Sequence, residues 1–198
     1  GDSSCESWLP EPIAYRLRTA LPLLKRYLEG AECTDMYSLD GHPLGYSRLR
    51  LCDGVAPQFP CETCLVPLLF LMSEEGRILL TQRAAGRAAE GEWALTGGGL
   101  RPGETPEQGM RREAREELGV TEFTPERLTQ YIFDSVRERE LVYVNRTVYD
   151  GPVTPSDETD GGRFWTIGEI LRTLGTGLFT PNFESEFRRV FLTDDGIA

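Results

Sequence analysis

The stretch from Thr105 to Gly119 leaves the backbone little choice. Thr105-Pro106-Glu107-Gln108 supplies an N-cap hydroxyl, a proline at the first helical position and a glutamine placed to complete a capping box, while Gly119 closes the other end. This punctuation predicts a helix over 106–118. Within it Glu113, Glu116 and Glu117 stand at i, i+3 and i+4, which at 100° per residue puts three carboxylates on an arc of about 100°. Met110, Ala114 and Leu118 form the neighbouring apolar stripe, and Arg112 adjoins Glu116 around the helix. Crowding like charges this way is unfavourable unless cations neutralise them, and hard oxygen ligands at this density suit Mg²⁺ or Mn²⁺. An acidic helix standing alone is most simply a solvated face. This one follows Glu104 and the run Gly97-Gly98-Gly99, where only small residues let a backbone turn tightly and approach a ligand.

The flanking sequence alternates between strand and helix signals. Residues 65–72 and 78–83 read as strands joined by Ser73-Glu74-Glu75-Gly76, with Pro67 arguing for a bulge or an edge position in the first of them. Residues 93–96 read as a short strand leading into the glycines. Residues 130–136 and 141–149 read as a hairpin around the charged, solvated tip Arg137-Glu138-Arg139-Glu140. A strand over 163–165 precedes a second capping box, Thr166 to Glu169, and a helix ending at Gly175; Thr180-Pro181 then opens a last helix carrying Phe183, Phe187, Val190 and Phe191. Upstream, residues 36–39 and 44–51 flank the turn Asp40-Gly41-His42-Pro43 and read as a hairpin with His42 exposed in the turn. The whole is expected to be one α/β domain over 36–198 behind an N-terminal helical extension over 1–35, in which Ile13, Leu17, Leu21, Leu24 and Leu28 share a face. That face is expected to lie on its own domain, with a dimerisation arm, and so a homodimer, as the alternative.

Charge and composition exclude several function classes. The 198 residues carry a net charge of −11, so a surface that tracks a nucleic-acid backbone is not expected, and an anionic substrate would need cations placed between it and the protein. The longest apolar run, 64–72, is too short for a membrane span and contains Pro67. The 5 cysteines, at 5, 33, 52, 61 and 64, are odd in number and show no disulfide framework. Cys61-x2-Cys64 is half a zinc knuckle without its other half. With no basic or apolar export signal at the start, reduced thiols and a cytoplasmic location are expected.

The run Gly98-x5-Glu104-x7-Arg112-Glu113-Ala114-x-Glu116-Glu117-x-Gly119-Val120 resembles the Nudix box at every fixed position, Ala114 standing where a larger aliphatic is usual. Ile78 to Ala85, Trp93 and Gly103 to Gln108 are similar to the strand, loop and helix of MutT-type Nudix hydrolases. The hairpin around Asp40-Gly41 and the ending Phe179-Thr180-Pro181 are closer to the branch related to isopentenyl-diphosphate isomerase. The resemblance implies an α/β/α sandwich with a central mixed sheet. It also implies hydrolysis of a diphosphate bond in a small molecule, a nucleoside diphosphate linked to another moiety. By the same resemblance the Gly97 carbonyl, Glu113, Glu116 and Glu117 hold Mg²⁺ (or Mn²⁺), Glu104 lies close by and Arg112 orients the cluster. Arg83 resembles a phosphate-contacting arginine, against a surface salt bridge. Glu158, in Ser156-Asp157-Glu158-Thr159-Asp160, is a ligand or the general base, against a plain acidic turn. Trp93, Tyr131 and Tyr143 read as core aromatics. The alternatives are an isopentenyl-diphosphate isomerase-like enzyme and a non-catalytic ligand sensor. The first calls for a Cys-Gly-His context and several histidines where this chain has Thr96-Gly97-Gly98-Gly99 and His42 alone; the second has no need of every carboxylate.

Overall fold

A run such as Cys64 to Met72, apolar without alternation, is satisfied only by burial on both faces. The computed structural model of the chain describes residues 33–51, 54–55, 61–86, 89–134, 139–156, 159–193 and 196–197, and it places that run in strand β4 (Glu62–Met72), inside a ten-stranded mixed sheet. On one side β4 meets, in turn, β1 (Cys33–Ser38), β7 (Thr96–Gly97) and β5 (Ile78–Arg83). On the other it runs parallel to β9 (Arg139–Val148), from Cys64 opposite Glu140 to Met72 opposite Val148. Strand β8 (Glu126–Asp134) lies antiparallel to β9, β10 (Thr159–Trp165) lies outside β5, and β2 (Pro43–Leu51) completes the expected hairpin with β1 before pairing with β3 (Gly54–Val55). His42 is exposed in the hairpin turn, as expected.

The two faces of β4 feed different cores. Cys64, Val66, Leu68 and Phe70 point to the layer formed with Ile170 of α2 (Ile167–Thr173) and with Phe183 and Phe187 of α3 (Pro181–Phe191). Leu69 and Leu71, with Leu79 of β5, meet Met110, Ala114 and Leu118 of α1 (Pro106–Leu118). This is the α/β/α sandwich that the sequence led us to expect. Phe183, Phe187 and Leu118 are fully buried, each burial contributing about 1.5–3 kcal/mol. Trp93, Trp165, Phe179 and Phe183 meet edge to face at 4.9–5.3 Å and extend the first layer to the start of α3.

Several expectations need correction. Pro67 causes neither a bulge nor an edge: β4 is continuous and central. The Leu65 carbonyl accepts the Leu100 amide and the Pro67 carbonyl lies against Gly97, so the backbone of Pro67 faces away from β9, in the interval where the β1 pairing has ended at Cys64 and the β7 pairing has not begun. The single strand expected over 93–96 is two, β6 (Trp93–Ala94) on β5 and β7 on β4, because the chain changes partner at Leu95. Strand β8 begins at Glu126 rather than 130; a register shift between Arg127 and Thr129 breaks the alternation that would have revealed it. Likewise β10 begins at Thr159, with an irregularity before Gly162 hiding its first half. Arg139 and Glu140 belong to β9 and not to a solvated tip, and Glu140 is buried. Helix α2 stops at Thr173, short of Gly175, and α3 runs on into a small pair, β11 (Leu192–Thr193) and β12 (Gly196–Ile197), that no sequence signal announced. The helix read over 11–29, most of the extension over 1–35, the tip residues 135–138 and Glu158 lie outside the described residues.

Candidate active site

Helix α1 is fixed at both ends and along one side. The Thr105 hydroxyl accepts the amide of Gln108 at 3.2 Å, the Gln108 side chain accepts the amide of Thr105 at 2.8 Å, and Gly119 ends the helix at φ +68°. With Met110, Ala114 and Leu118 seated on the sheet, the rotation of the helix is set, and Arg112, Glu113, Glu116 and Glu117 are directed beside it.

Arg112 is the centre of this array. It is only 8 % exposed, and every N–H of its guanidinium has an acceptor. Nε and Nη2 grip both oxygens of Glu104 at 2.7 and 2.9 Å, Nη1 donates to Glu113 at 2.7 Å and to Glu116 at 3.3 Å, and Nη2 also donates to the Gly99 carbonyl at 3.1 Å. Burying a guanidinium is expensive unless its charge is paired and all its protons are used, and both conditions hold here. The hydrogen bonds from Arg112 hold the Glu104 carboxyl below the usual carboxylate range, and those from Glu104 raise Arg112 in turn. Glu116 is also reached by Arg101, at 3.3 Å.

Glu117 differs from its neighbours. It turns toward β7, where its Oε2 accepts the Gly97 amide at 3.3 Å. Burial, with the charge of Glu113 adding, pushes its carboxyl up to about 8, against opposing effects from the Gly97 amide, Arg83 and Thr96. Gly97 must be glycine because β7 passes so close to β4: a Cβ there would lie 2.4 Å from the Pro67 carbonyl oxygen. At Gly98 a Cβ would lie 2.5 Å from Oε1 of Glu113, so the bare glycine leaves room for that carboxylate.

The structure thus brings Gly97, Glu104, Arg112, Glu113, Glu116 and Glu117 together, with Arg83 near enough for its charge to act on Glu117. Among the described residues no three His, Cys, Asp or Glu side chains form a closed metal cage; Glu113 and Glu116 turn to Arg112. The donor chemistry nevertheless suits a hard divalent ion. Carboxylate oxygens face a glycine loop, and the one raised by burial and by Glu113, that of Glu117, is the kind of group a bound divalent ion would hold in its ionised form. Trp93, Tyr131 and Tyr143 pack against the cores, as read from the sequence, and Cys64 is buried while Cys61 is exposed. Sequence reasoning overlooked Thr96 and Arg101 at this site. The signal was available for both, since each flanks the glycines.

A mixed sheet between helical layers, bearing a helix of clustered carboxylates against a glycine loop, is the arrangement that comparison with known proteins assigns to the Nudix pyrophosphohydrolases. The NUDIX domain family model matches residues 65–183, and the chain belongs to the Nudix hydrolase superfamily. It is 34% identical over 121 residues to the nucleoside triphosphatase NudI of Enterobacter sp. (strain 638), an alignment spanning 52% of this chain and 82% of the relative. A NudI of Escherichia coli O1:K1 / APEC is 48% identical over 60 residues, 28% of this chain and 43% of that one. In fold, the chain is similar to DR0079 from Deinococcus radiodurans (TM-score 0.66, 21% identity, covering 81% of this chain and 99% of the other). It is likewise similar to the MutT protein from Methanosarcina mazei Go1 (TM-score 0.58, 24% identity, 68% and 96%). No helix among the described residues is long and apolar enough to cross a membrane.

Proposed function

We propose that this chain hydrolyses, with Mg²⁺ or Mn²⁺, the diphosphate bond of a nucleoside diphosphate linked to another moiety, and that a nucleoside triphosphate, in which that moiety is phosphate, is the first substrate to test. The observation that carries this reading is Glu117: a largely buried carboxyl held against the Gly97 amide, beside Glu113, at the place where the helix meets the glycine loop. The nucleoside triphosphatase activity named for the NudI relatives supports the substrate class.

In this reading Glu113, Glu116 and Glu117, with the Gly97 carbonyl, hold the divalent ion. When bound there, a divalent ion would supply charge neutralisation for the diphosphate oxygens and would acidify a coordinated water. Arg112 keeps Glu113 and Glu116 in place and fixes Glu104 beside them. Arg83 contacts a phosphate oxygen. Glu158 serves as a further ligand or accepts the proton of the attacking water.

The test is hydrolysis of a panel of nucleoside triphosphates, nucleotide sugars and ADP-ribose with and without Mg²⁺ and Mn²⁺. Metal-dependent turnover that disappears in Glu117→Gln is expected. Ligand binding without turnover on any member would overturn the assignment in favour of a sensor.

A further inference from the structure

The turn that carries Glu104 is held from outside the region matched to the family. In Arg101-Pro102-Gly103-Glu104 the amide of Glu104 donates to the Arg101 carbonyl at 3.0 Å, and Gly103, following a proline, has φ +80°. These are the marks of a type II turn, in which the hydrogen bond closing the turn uses the fourth amide and leaves the third, that of Gly103, to find another acceptor. That acceptor is Asp35 of β1, whose Oδ2 lies 2.8 Å from the Gly103 nitrogen. The other carboxylate oxygen of Asp35 accepts the Ser47 hydroxyl of β2 at 2.6 Å, so both strands of the hairpin set its orientation.

From this point the connection runs on without a break. Oε2 of Glu104 accepts the Arg101 amide at 2.7 Å, and the same carboxylate takes Nε and Nη2 of Arg112, whose Nη1 holds Glu113 and Glu116. An apolar contact runs alongside: Leu100, buried just before the turn, clusters with Leu65, Leu141 and the hairpin residue Tyr37. Gly109 is part of the same fit, since a Cβ there would lie 2.3 Å from Leu100.

We propose that Asp35 is a positioning residue for the hydrolytic site: by holding the Gly103 amide it fixes the turn from which Glu104 sets Arg112, and through Arg112 the carboxylates of α1. The proposal rests on the hydrolase reading above. Acceptance of an N–H by a carboxylate gives a short, charge-assisted bond, but this one is partly solvated, so its effect is moderate. What matters is an acceptor at that position, which an asparagine also supplies.

The experiment compares Asp35→Ala, Asp35→Asn and Ser47→Ala in the full chain with three readouts: hydrogen exchange at the Gly103 amide, Mn²⁺ binding to the metal-free protein by electron paramagnetic resonance, and kcat and KM on the best substrate. Asp35→Ala is expected to lose Gly103 protection, to bind Mn²⁺ about fivefold more weakly and to lower kcat by a similar factor, with KM moving by less than about twofold. Asp35→Asn is expected to recover all three, and Ser47→Ala to fall between. Wild-type Mn²⁺ affinity and kcat in Asp35→Ala would overturn the proposal. So would an Asp35→Asn variant that keeps Gly103 protected yet is as impaired as Asp35→Ala. If the wild type hydrolyses nothing, the hydrolase reading fails, while exchange and Mn²⁺ binding still decide whether Asp35 fixes the turn.

Discussion

Two glutamates in this molecule are pushed up to about 8 by the same cause, and they sit on opposite faces of the sheet. Glu117 is buried beside Glu113 at the glycine loop; Glu186 is buried in α3 within reach of the charge of Glu140. Their surroundings diverge from there. Glu186 is 1 % exposed and accepts the Tyr131 hydroxyl at 2.6 Å, while Arg189 lies over the Tyr131 ring at 4.1 Å and Asn182 reaches Glu140 at 3.4 Å. Its needs are met by neighbours that are part of the core. Glu117 has the Gly97 amide, the Thr96 side chain and the charge of Arg83, and its side chain keeps some exposure to solvent where Glu186 has almost none. A carboxylate sealed under a helix is a structural acid. One that keeps some exposure beside Glu113 is where, on the proposed function, a divalent cation from solvent would bind.

The largest effect that would break this comparison is on turnover. Glu117→Gln is expected to lose about a hundredfold or more in kcat/KM, since it removes a metal ligand, whereas Glu186→Gln should stay within about threefold of wild type. Steady-state kinetics on the best substrate of the panel decides it, and equal losses in the two variants would remove the distinction.

Next in size is the response to metal. If ions bind the assembled cluster and not the unfolded chain, as the proposed function requires, Mg²⁺ or Mn²⁺ at a hundred times its dissociation constant should stabilise the fold by about 2.7 kcal/mol. A thermal melt should show Tm rising with metal in wild type and in Glu186→Gln, and much less in Glu117→Gln. An unchanged Tm in wild type at millimolar metal would argue against the site.

The pH profile sharpens the contrast further. Both carboxyls have folded pKa values near 8, above the 4.5 of an ordinary glutamate, so the native state binds their protons more tightly than the unfolded chain does. The stability they contribute is therefore full below about pH 4.5 and is lost as pH rises through about 8. Metal-free Tm should fall between pH 6 and pH 9, with each Gln variant flattening part of that fall. Added Mg²⁺ should oppose the part due to Glu117, which must lose its proton to bind the ion, and leave the part due to Glu186 unchanged. Denaturation scans at three pH values, with and without metal, read both.

The smallest expected signal is none at all: incubation with isopentenyl diphosphate and Mg²⁺ should yield no dimethylallyl diphosphate, because His42, the chain's one histidine, is exposed on the β1–β2 turn. Formation of that product at an enzymatic rate would reassign the carboxylate helix to isomerase chemistry.

Why the sequence revealed α1 so clearly and the rest unevenly is a matter of range. Caps act within four residues, so Thr105, Pro106, Gln108 and Gly119 specify the helix wherever it is placed, and the spacing of Glu113, Glu116 and Glu117 follows from its geometry. The continuous β4 was harder, because what makes Pro67 acceptable is the handover from β1 to β7, two strands distant in sequence. The bulged starts of β8 and β10 erased the alternation that marks a strand. Asp35 had no local signal at all; its role depends on an amide 68 residues away. The five acceptors around Arg112 were legible only in part, since adjacency to Glu116 was visible on the helix but the grip on Glu104 and the Gly99 carbonyl needed the loop to fold back.

One feature of β5 bears on how such a protein changes over generations. Its last residue, Arg83, donates its amide to the Glu92 carbonyl and accepts the Gly91 amide, both at 2.9 Å, so the chain that leaves β5 is fastened to the chain that returns as β6. Whatever lies between is tied off at its neck. A change of length beyond that neck is therefore expected to leave the register of Trp93, Leu95 and Gly97 in place, and with it the carboxylates opposite. A neck of this kind separates a stretch expected to tolerate changes of length from the strands that carry the glycine loop, so the two can vary independently.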